Sequence, residues 1–171
     1  WYDINNIIYT FINFCFINIM YFKSIFFDRM FKINFKMFMK INNKKDRPGK
    51  IKILQQYDTQ GLRMVLKAAF DPKIVWLLPE GDVPFITNDA PDGTEHSRLE
   101  TEARTLQNYL GIRQDNGAVN PAKPEVNNMK REMLFIQLLE GLSEGEAQVL
   151  LSVKNKTLNK TYKGLNASSV K

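Results

Sequence analysis

The chain has 171 residues, a formal net charge of +6, one cysteine (Cys15) and one histidine (His96). A single cysteine excludes a disulfide framework, and a single histidine excludes a histidine-rich metal site. The 125 residues that follow residue 46 are enough for one domain with its own hydrophobic core.

The first 46 residues differ in composition from the rest of the chain. They contain no Leu, Ala, Val, Gly, Glu, Gln, Pro or His, and Phe, Ile, Asn, Lys and Tyr fill 34 of the 46 positions. These five types have A/T-rich codons, whereas a helix selected for apolar character alone would also use Leu, Val and Ala. We therefore expect residues 1–45 to be a translated spacer or N-terminal extension of an open-reading-frame fragment. The domain is expected over 46–171, truncated at its C-terminus, with a genuine start near Met37 or Met39 or as late as Asp46.

Residues 7–27 are the one candidate for a membrane span. The uncharged stretch from residue 4 to residue 22 is about long enough to cross a bilayer, and basic residues follow it. Four asparagines interrupt it, and the small residues of a signal-peptide cleavage site are missing. A spacer and a genuine anchor both remain open, and a membrane location is expected only if this segment is a real part of the protein.

Further along, the pattern predicts helices joined by short loops. Pro48 suits the first turn of one helix, Thr59 can cap the next, and Asp71 before a proline ends it. The apolar run over 74–78 is compatible with a strand or with a buried helical turn. Residues 79–95 are rich in Pro, Gly, Asp and Asn and predict an exposed loop.

Two capping boxes predict helices in the C-terminal half. Ser97 with Glu100 opens a helix that ends at Gly111, and Ser143 with Glu146 opens another. A loop is predicted over 112–126 and a helix over 129–139. The inward faces of three different helices are expected to bury Leu106, Ile136 and Leu150. The predicted fold class is therefore all-α, a compact multi-helix domain.

Catalytic motifs are absent from the sequence. It has no Gly-rich phosphate loop, no G-x-S-x-G elbow and no H-E-x-x-H. His96 is expected to be a solvated loop residue rather than a base, and Trp76 a core residue rather than a base-stacking one. The acidic residues of the loop over 79–95 match no calcium loop. The sequence thus predicts a protein that is not an enzyme and that has neither a cofactor nor a metal site.

Positive charge is concentrated at the C-terminal end. Residues 153–171 carry five lysines and no acid, whereas residues 47–152 carry 12 basic and 15 acidic side chains. Lysines spaced among short polar residues can contact successive phosphates without reading bases. An ordinary solvated helix end is the alternative, because cations also favour that end of the helix dipole. The candidate DNA contacts are Lys154, Lys156, Asn159, Lys160 and Lys163.

This segment resembles the end of the N-terminal DNA-binding domain of phage ATP-dependent DNA ligases. That domain ends in an Asn-Lys-aromatic-x-Gly-Leu turn, and the positions that match it here are Asn159, Lys160, Tyr162, Gly164 and Leu165, with Thr161 as an additional residue before the aromatic one. The patterns over 50–54 and 68–72 are also similar, but the Cys-Gly-Val/Ala-Ser step before the turn is missing here. The whole of 46–171 also resembles an uncharacterised family of small proteins from T-even-like marine phages.

The ligase resemblance implies a helical DNA-binding domain without ligase activity. Adenylation requires a Lys-x-Asp-Gly nucleophile, and the single Asp-Gly pair, Asp92-Gly93, has Ala90 at the lysine position. We expect a small phage protein in the host cytoplasm that binds the DNA backbone non-specifically, as an accessory to replication or repair. A phage replication protein is a further candidate partner. The alternative is a structural or adaptor protein that binds another phage or host protein through the acidic body, residues 47–152.

Overall fold

Three helices form the first part of the computed structural model, which describes residues 35–88, 96–163 and 165–167. They are α1 (Phe35–Asn43), α2 (Arg47–Gln56) and α3 (Gln60–Phe70). Asp46 caps α2, since its side chain accepts from Gly49 N at 2.7 Å, and Pro48 lies in the first turn. Thr59 caps α3 by accepting from Leu62 N at 3.1 Å. The predicted roles of Pro48 and Thr59 are confirmed.

A small antiparallel sheet contradicts the all-α prediction. Its strands are β1 (Ile74–Trp76), β2 (Leu110–Arg113) and β3 (Val119–Pro121), in the order β1-β2-β3. Val75 lies opposite Gly111, and Gly111 lies opposite Pro121. The fold is therefore mixed, rich in helix but with a three-stranded sheet, and the loop predicted over 112–126 contains part of that sheet.

Gly111 shows why the sequence misled us. The sequence pattern predicts that Gly111 ends a helix, but the residue lies in the middle strand, where a Cβ would approach Val119 Cγ1 to 2.7 Å. The glycine is required by the close approach of strands, which a single sequence does not distinguish from a helix stop. The predicted helix over 97–111 is instead α4 (Leu99–Glu102), a 3₁₀ helix (Ala103–Asn108) and β2.

The predicted capping box at Ser97 is also wrong. The N-cap position of α4 is Arg98, whose side chain makes no cap hydrogen bond. Instead, Leu99 N donates to Glu146 Oε2 at 3.2 Å, so a carboxylate from a distant helix caps α4. A buried acceptor reached through tertiary contact replaces the local hydroxyl that the sequence offered.

The C-terminal helices are α5 (Asn128–Gly141), α6 (Glu144–Lys154) and α7 (Leu158–Thr161). Ser143 caps α6 as predicted, accepting from Glu146 N at 3.4 Å. In the core, Leu106 and Leu150 are fully buried as predicted, but Ile136 is only partly buried. The inward face of α5 is shifted and presents Phe135, Leu138 and Leu139 instead.

α1 belongs to the hydrophobic core. Met37, Phe38 and Ile41 are fully buried, and α1 packs on α2 and α6. The described fold thus includes α1, which lies before the domain boundary expected at residue 46 and contains the candidate starts Met37 and Met39. Residues 1–34, including the candidate span 7–27, lie outside the described part. Within 35–88, 96–163 and 165–167, none of the helices combines the length and apolar character that a membrane crossing requires.

Candidate nucleic-acid interface

The lysine-rich segment follows α6 through a tight left-handed turn. Lys156 N donates to Val153 O at 3.1 Å and Thr157 N to Ser152 O at 2.8 Å, the paired bonds of a Schellman motif. Lys156 occupies the position where glycine is usual, with φ of 55°, and no other non-glycine residue in the described ranges has a positive φ. A left-handed conformation costs a residue with a Cβ about 1–2 kcal/mol.

Lys154 points into the protein rather than toward solvent. It is only 6% exposed, and its Nζ donates to Gly81 O at 2.9 Å and to Asn155 Oδ1 at 3.2 Å. Burial lowers the pKa of this ammonium, and the nearby acids Asp82 and Glu80 oppose that shift. These two bonds hold its ammonium inside the fold, so Lys154 is poorly placed for an extended DNA backbone.

Lys156 is tied to the end of α3. Its Nζ donates to Ala68 O at 2.7 Å and to Asp71 O at 3.4 Å, where α3 leaves backbone carbonyls without helical partners. Desolvation lowers the pKa of Lys156, and the charge of Asp71 opposes that effect. A cation at a helix C-terminus is favourable, so this lysine caps α3.

The other three candidate contacts remain accessible. Asn159, Lys160 and Lys163 are exposed, and their side chains have no hydrogen-bond or ion-pair partner within the described ranges. The backbone of Lys163, by contrast, is fixed. Its N–H donates to Asn42 Oδ1 at 3.2 Å, and its carbonyl accepts from Lys50 Nζ. The structure therefore separates the five predicted residues into buried Lys154, exposed Lys156 with its ammonium bonded to α3, and three residues whose side chains are open to solvent.

The open part of the segment is anchored on α1 and α2. The rings of Phe38 and Tyr162 lie 5.0 Å apart between centroids, tilted by 43°. Tyr162 is buried, as are Leu158 and Leu165 on either side of it. These contacts, with the bonds from Asn42 and Lys50, fix the α7 turn against the first two helices.

The helices that hold the turn are themselves basic. Residues 36–52 contain seven basic side chains and one acid. We define the basic surface as the exposed lysines of these two contacting segments: Lys40, Lys44, Lys45, Lys52, Lys160 and Lys163. Lys40 is partly engaged, because its Nζ donates to the Tyr57 hydroxyl at 2.9 Å. Our sequence reading missed the N-terminal lysines because it assigned residues 1–45 to a spacer.

Other candidate chemistry is sparse. The described residues contain no group of three or more His, Cys, Asp and Glu side chains that could hold a metal ion. His96 is exposed, and residues 89–95 of the predicted acidic loop lie outside the described ranges. Trp76 is partly buried and meets Phe135 edge to face, with ring centroids 6.0 Å apart. Among the described residues, the lysines of the basic surface therefore remain the candidate site.

Comparison with known proteins identifies a family. The model of a family of unknown function, DUF6433, matches residues 37–160. No curated protein and no solved structure matches the chain. The family match runs from within α1 to Lys160 in α7 and thus includes every lysine of the basic surface except Lys163.

Proposed function

The chain belongs to DUF6433, a family of unknown function, and we propose that it binds the DNA backbone without base specificity, as a non-enzymatic accessory to DNA replication or repair. The observation that carries this proposal is the contact between two lysine-rich segments far apart in sequence. The backbone of Lys163 is hydrogen-bonded to Asn42 and Lys50, so the segment that carries Lys160 and Lys163 contacts α1 and α2.

The side chains of the basic surface suit phosphates better than bases. Lysine presents a compact charge on a flexible stem, and it lacks the fixed fork by which arginine reads guanine. Phosphate contacts fix position but carry no sequence information. The resemblance of residues 154–165 to the ligase turn supports the same ligand, with Asn159 and Lys160 as its exposed members.

The remainder of the domain opposes this charge. Residues 47–152, even with Lys52 of the basic surface counted among them, carry 12 basic and 15 acidic side chains, a net charge of −3. Long-range repulsion from this body should weaken binding to a polyanion, so we expect a Kd no better than about micromolar at physiological salt. Binding should strengthen steeply as salt is lowered.

The test is a salt titration of duplex binding by fluorescence anisotropy. Each phosphate contact contributes a slope of about 0.9 in log K against log salt, so K160Q/K163Q should lower the slope by about two units. The matched control is K73Q/K123Q, which removes the same charge from exposed ion pairs with Asp115 (3.4 Å) and Glu125 (3.6 Å). The proposal fails if the parent does not bind at low salt, or if the control lowers the slope equally.

An adaptor function is the second candidate, because one helix leaves apolar side chains in solvent. Met129 and Met133 lie one turn apart on α5 and are 79% and 54% exposed. Both belong to the acidic body, which would suit a basic protein partner. On this reading, M129S/M133S would abolish co-purification with that partner, whereas K160Q/K163Q would preserve it.

A further inference from the structure

A cleft of about 800 Å³ lies on a different set of elements from the basic surface. Its walls are the C-terminal end of α3, β1 with the loop that follows it, Arg113 at the end of β2, and the turn after α6. This volume is typical of small-molecule sites, which range over roughly 300–1,000 Å³.

Three cations line this cleft: Lys154, Lys156 and Arg113. Neither lysine has a carboxylate within ion-pair distance among the residues described, and each ammonium donates to two oxygens. An ammonium has three donors, so each lysine retains one for a ligand. Arg113 is exposed, and its guanidinium has no partner in the described ranges. The cleft therefore offers three separate charged donors to an anion.

The backbone of Lys156 provides an independent indication. Its φ of 55° lies in the region that favours glycine, and the Schellman turn itself would be satisfied by glycine. Backbone strain of this kind is concentrated at ligand sites, where the side chain is required in a fixed place. Here the strained residue directs its ammonium to the end of α3, on the wall of the cleft.

The other residues that line the cleft indicate which groups an anionic ligand carries besides its charge. Asp71 and Glu80 supply acceptors that suit hydroxyl or amino groups, and they reduce the net charge of the cleft. Trp76, Pro72 and Leu78 add apolar surface on which a planar group can pack. A bare inorganic anion would use the cations and leave the acceptors and the apolar wall without contacts.

We propose that this cleft binds a phosphate monoester carried on a planar, hydroxyl-bearing group, which is the chemistry of a nucleotide. The phosphate contacts the free donors of Lys154, Lys156 and Arg113. The hydroxyls face Asp71 and Glu80, and the planar group lies against Trp76. Such a phosphate is present in a free mononucleotide and at the phosphorylated end of a nucleic-acid strand.

The test uses calorimetric titration of the full chain with adenosine monophosphate, adenosine and inorganic phosphate. Adenosine monophosphate should bind at least about tenfold more tightly than either fragment, and R113Q should weaken it about tenfold through loss of a charge-assisted contact. K73Q is the matched control, since Lys73 is exposed and pairs with Asp115 outside the cleft lining. Equal binding of adenosine and its monophosphate, or R113Q binding like the parent, would overturn the proposal.

Two further comparisons show whether the phosphate belongs to a free mononucleotide or to the end of a strand, and whether the cleft and the basic surface are different sites. A short strand with a terminal phosphate that binds more tightly than the mononucleotide indicates a strand end, and the reverse order indicates a free nucleotide. K160Q/K163Q should leave adenosine monophosphate binding unchanged while lowering the salt slope for duplex DNA. R113Q should weaken the binding of adenosine monophosphate and leave the salt slope for duplex DNA unchanged. Either proposal can therefore fail while the other stands.

Discussion

Lys154 and Lys156 differ sharply from Lys160 and Lys163, although all four lie within ten residues of one another in the same basic segment. The first two donate to backbone carbonyls of the loop at Gly81 and of α3. The second two extend into solvent from a turn packed on α1. Lysines of equal charge are thus hydrogen-bonded to the fold in the first half, where Lys154 is buried and Lys156 is exposed, and are unpartnered surface cations in the second half of the described segment.

The difference arises at the left-handed turn. Chain reversal at Lys156 carries the segment away from α3 and toward α1, so that lysines a few residues apart meet different surroundings. Charge density along a sequence is therefore a poor guide to charge density on a surface. The basic surface that contains Lys160 and Lys163 is completed instead by lysines of α1, α2 and the loop between them.

The largest expected effect tests the anchor of the exposed half. Phe38 is fully buried against Tyr162, so Phe38→Ala should lower the free energy of unfolding by about 3–5 kcal/mol. Met39→Ala, at a neighbouring side chain that is 40% exposed, is the control and should change it by less than about 1 kcal/mol. Urea denaturation measures both. Equal effects would mean that α1 does not hold the turn.

The intermediate effect on stability compares a lysine that is hydrogen-bonded within the fold with a lysine that is exposed. Lys154→Ala removes a charged donor from Gly81 O and should cost about 1.5–3 kcal/mol. Lys160→Ala removes an exposed lysine and should stay within about 0.5 kcal/mol. Chemical denaturation of the two variants under one buffer gives the difference. A larger loss of stability from Lys160→Ala than from Lys154→Ala would show that Lys160, and not Lys154, is the lysine held by the fold.

The smallest effect concerns the turn itself. Lys156→Gly relieves the left-handed strain and loses the cap on α3, whereas Lys156→Ala loses the cap and keeps the strain. The glycine variant should therefore be more stable than the alanine variant by about 1 kcal/mol. Thermal and urea unfolding of the pair measure this difference. Identical stabilities would show that the turn relaxes in the alanine variant.

Local signals were predicted well from the sequence. The caps at Thr59 and Ser143 and the proline in the first turn of α2 follow from hydrogen bonds within three residues, which the sequence states directly. Ser97 looked equally good, but Glu146 from α6 caps α4 in its place. A helix cap can be predicted from the sequence when the capping side chain lies within a few residues of its backbone donor. The prediction fails when a distant side chain takes that hydrogen bond.

The sheet and the core face of α5 were not predictable in the same way. Short strands pair residues far apart in sequence, such as Val75 with Gly111, and neither segment alone carries an alternating pattern long enough to reveal it. On α5, apolar residues occur around most of the helix, so the pattern does not select Phe135 over Ile136. Packing against Trp76 and Tyr109 makes that choice.

The sequence by itself determined the helix-rich character, the main caps and a lysine-rich C-terminal segment, because these depend on composition and on contacts within a few residues. Only the tertiary structure decided which lysines are hydrogen-bonded within the fold, since that depends on where α3, Gly81 and α1 lie around the turn. It also joined the N-terminal lysines to Lys160 and Lys163, through bonds from Lys50 and Asn42 to Lys163. Residues separated by more than a hundred positions leave no local sequence pattern that would reveal their contact.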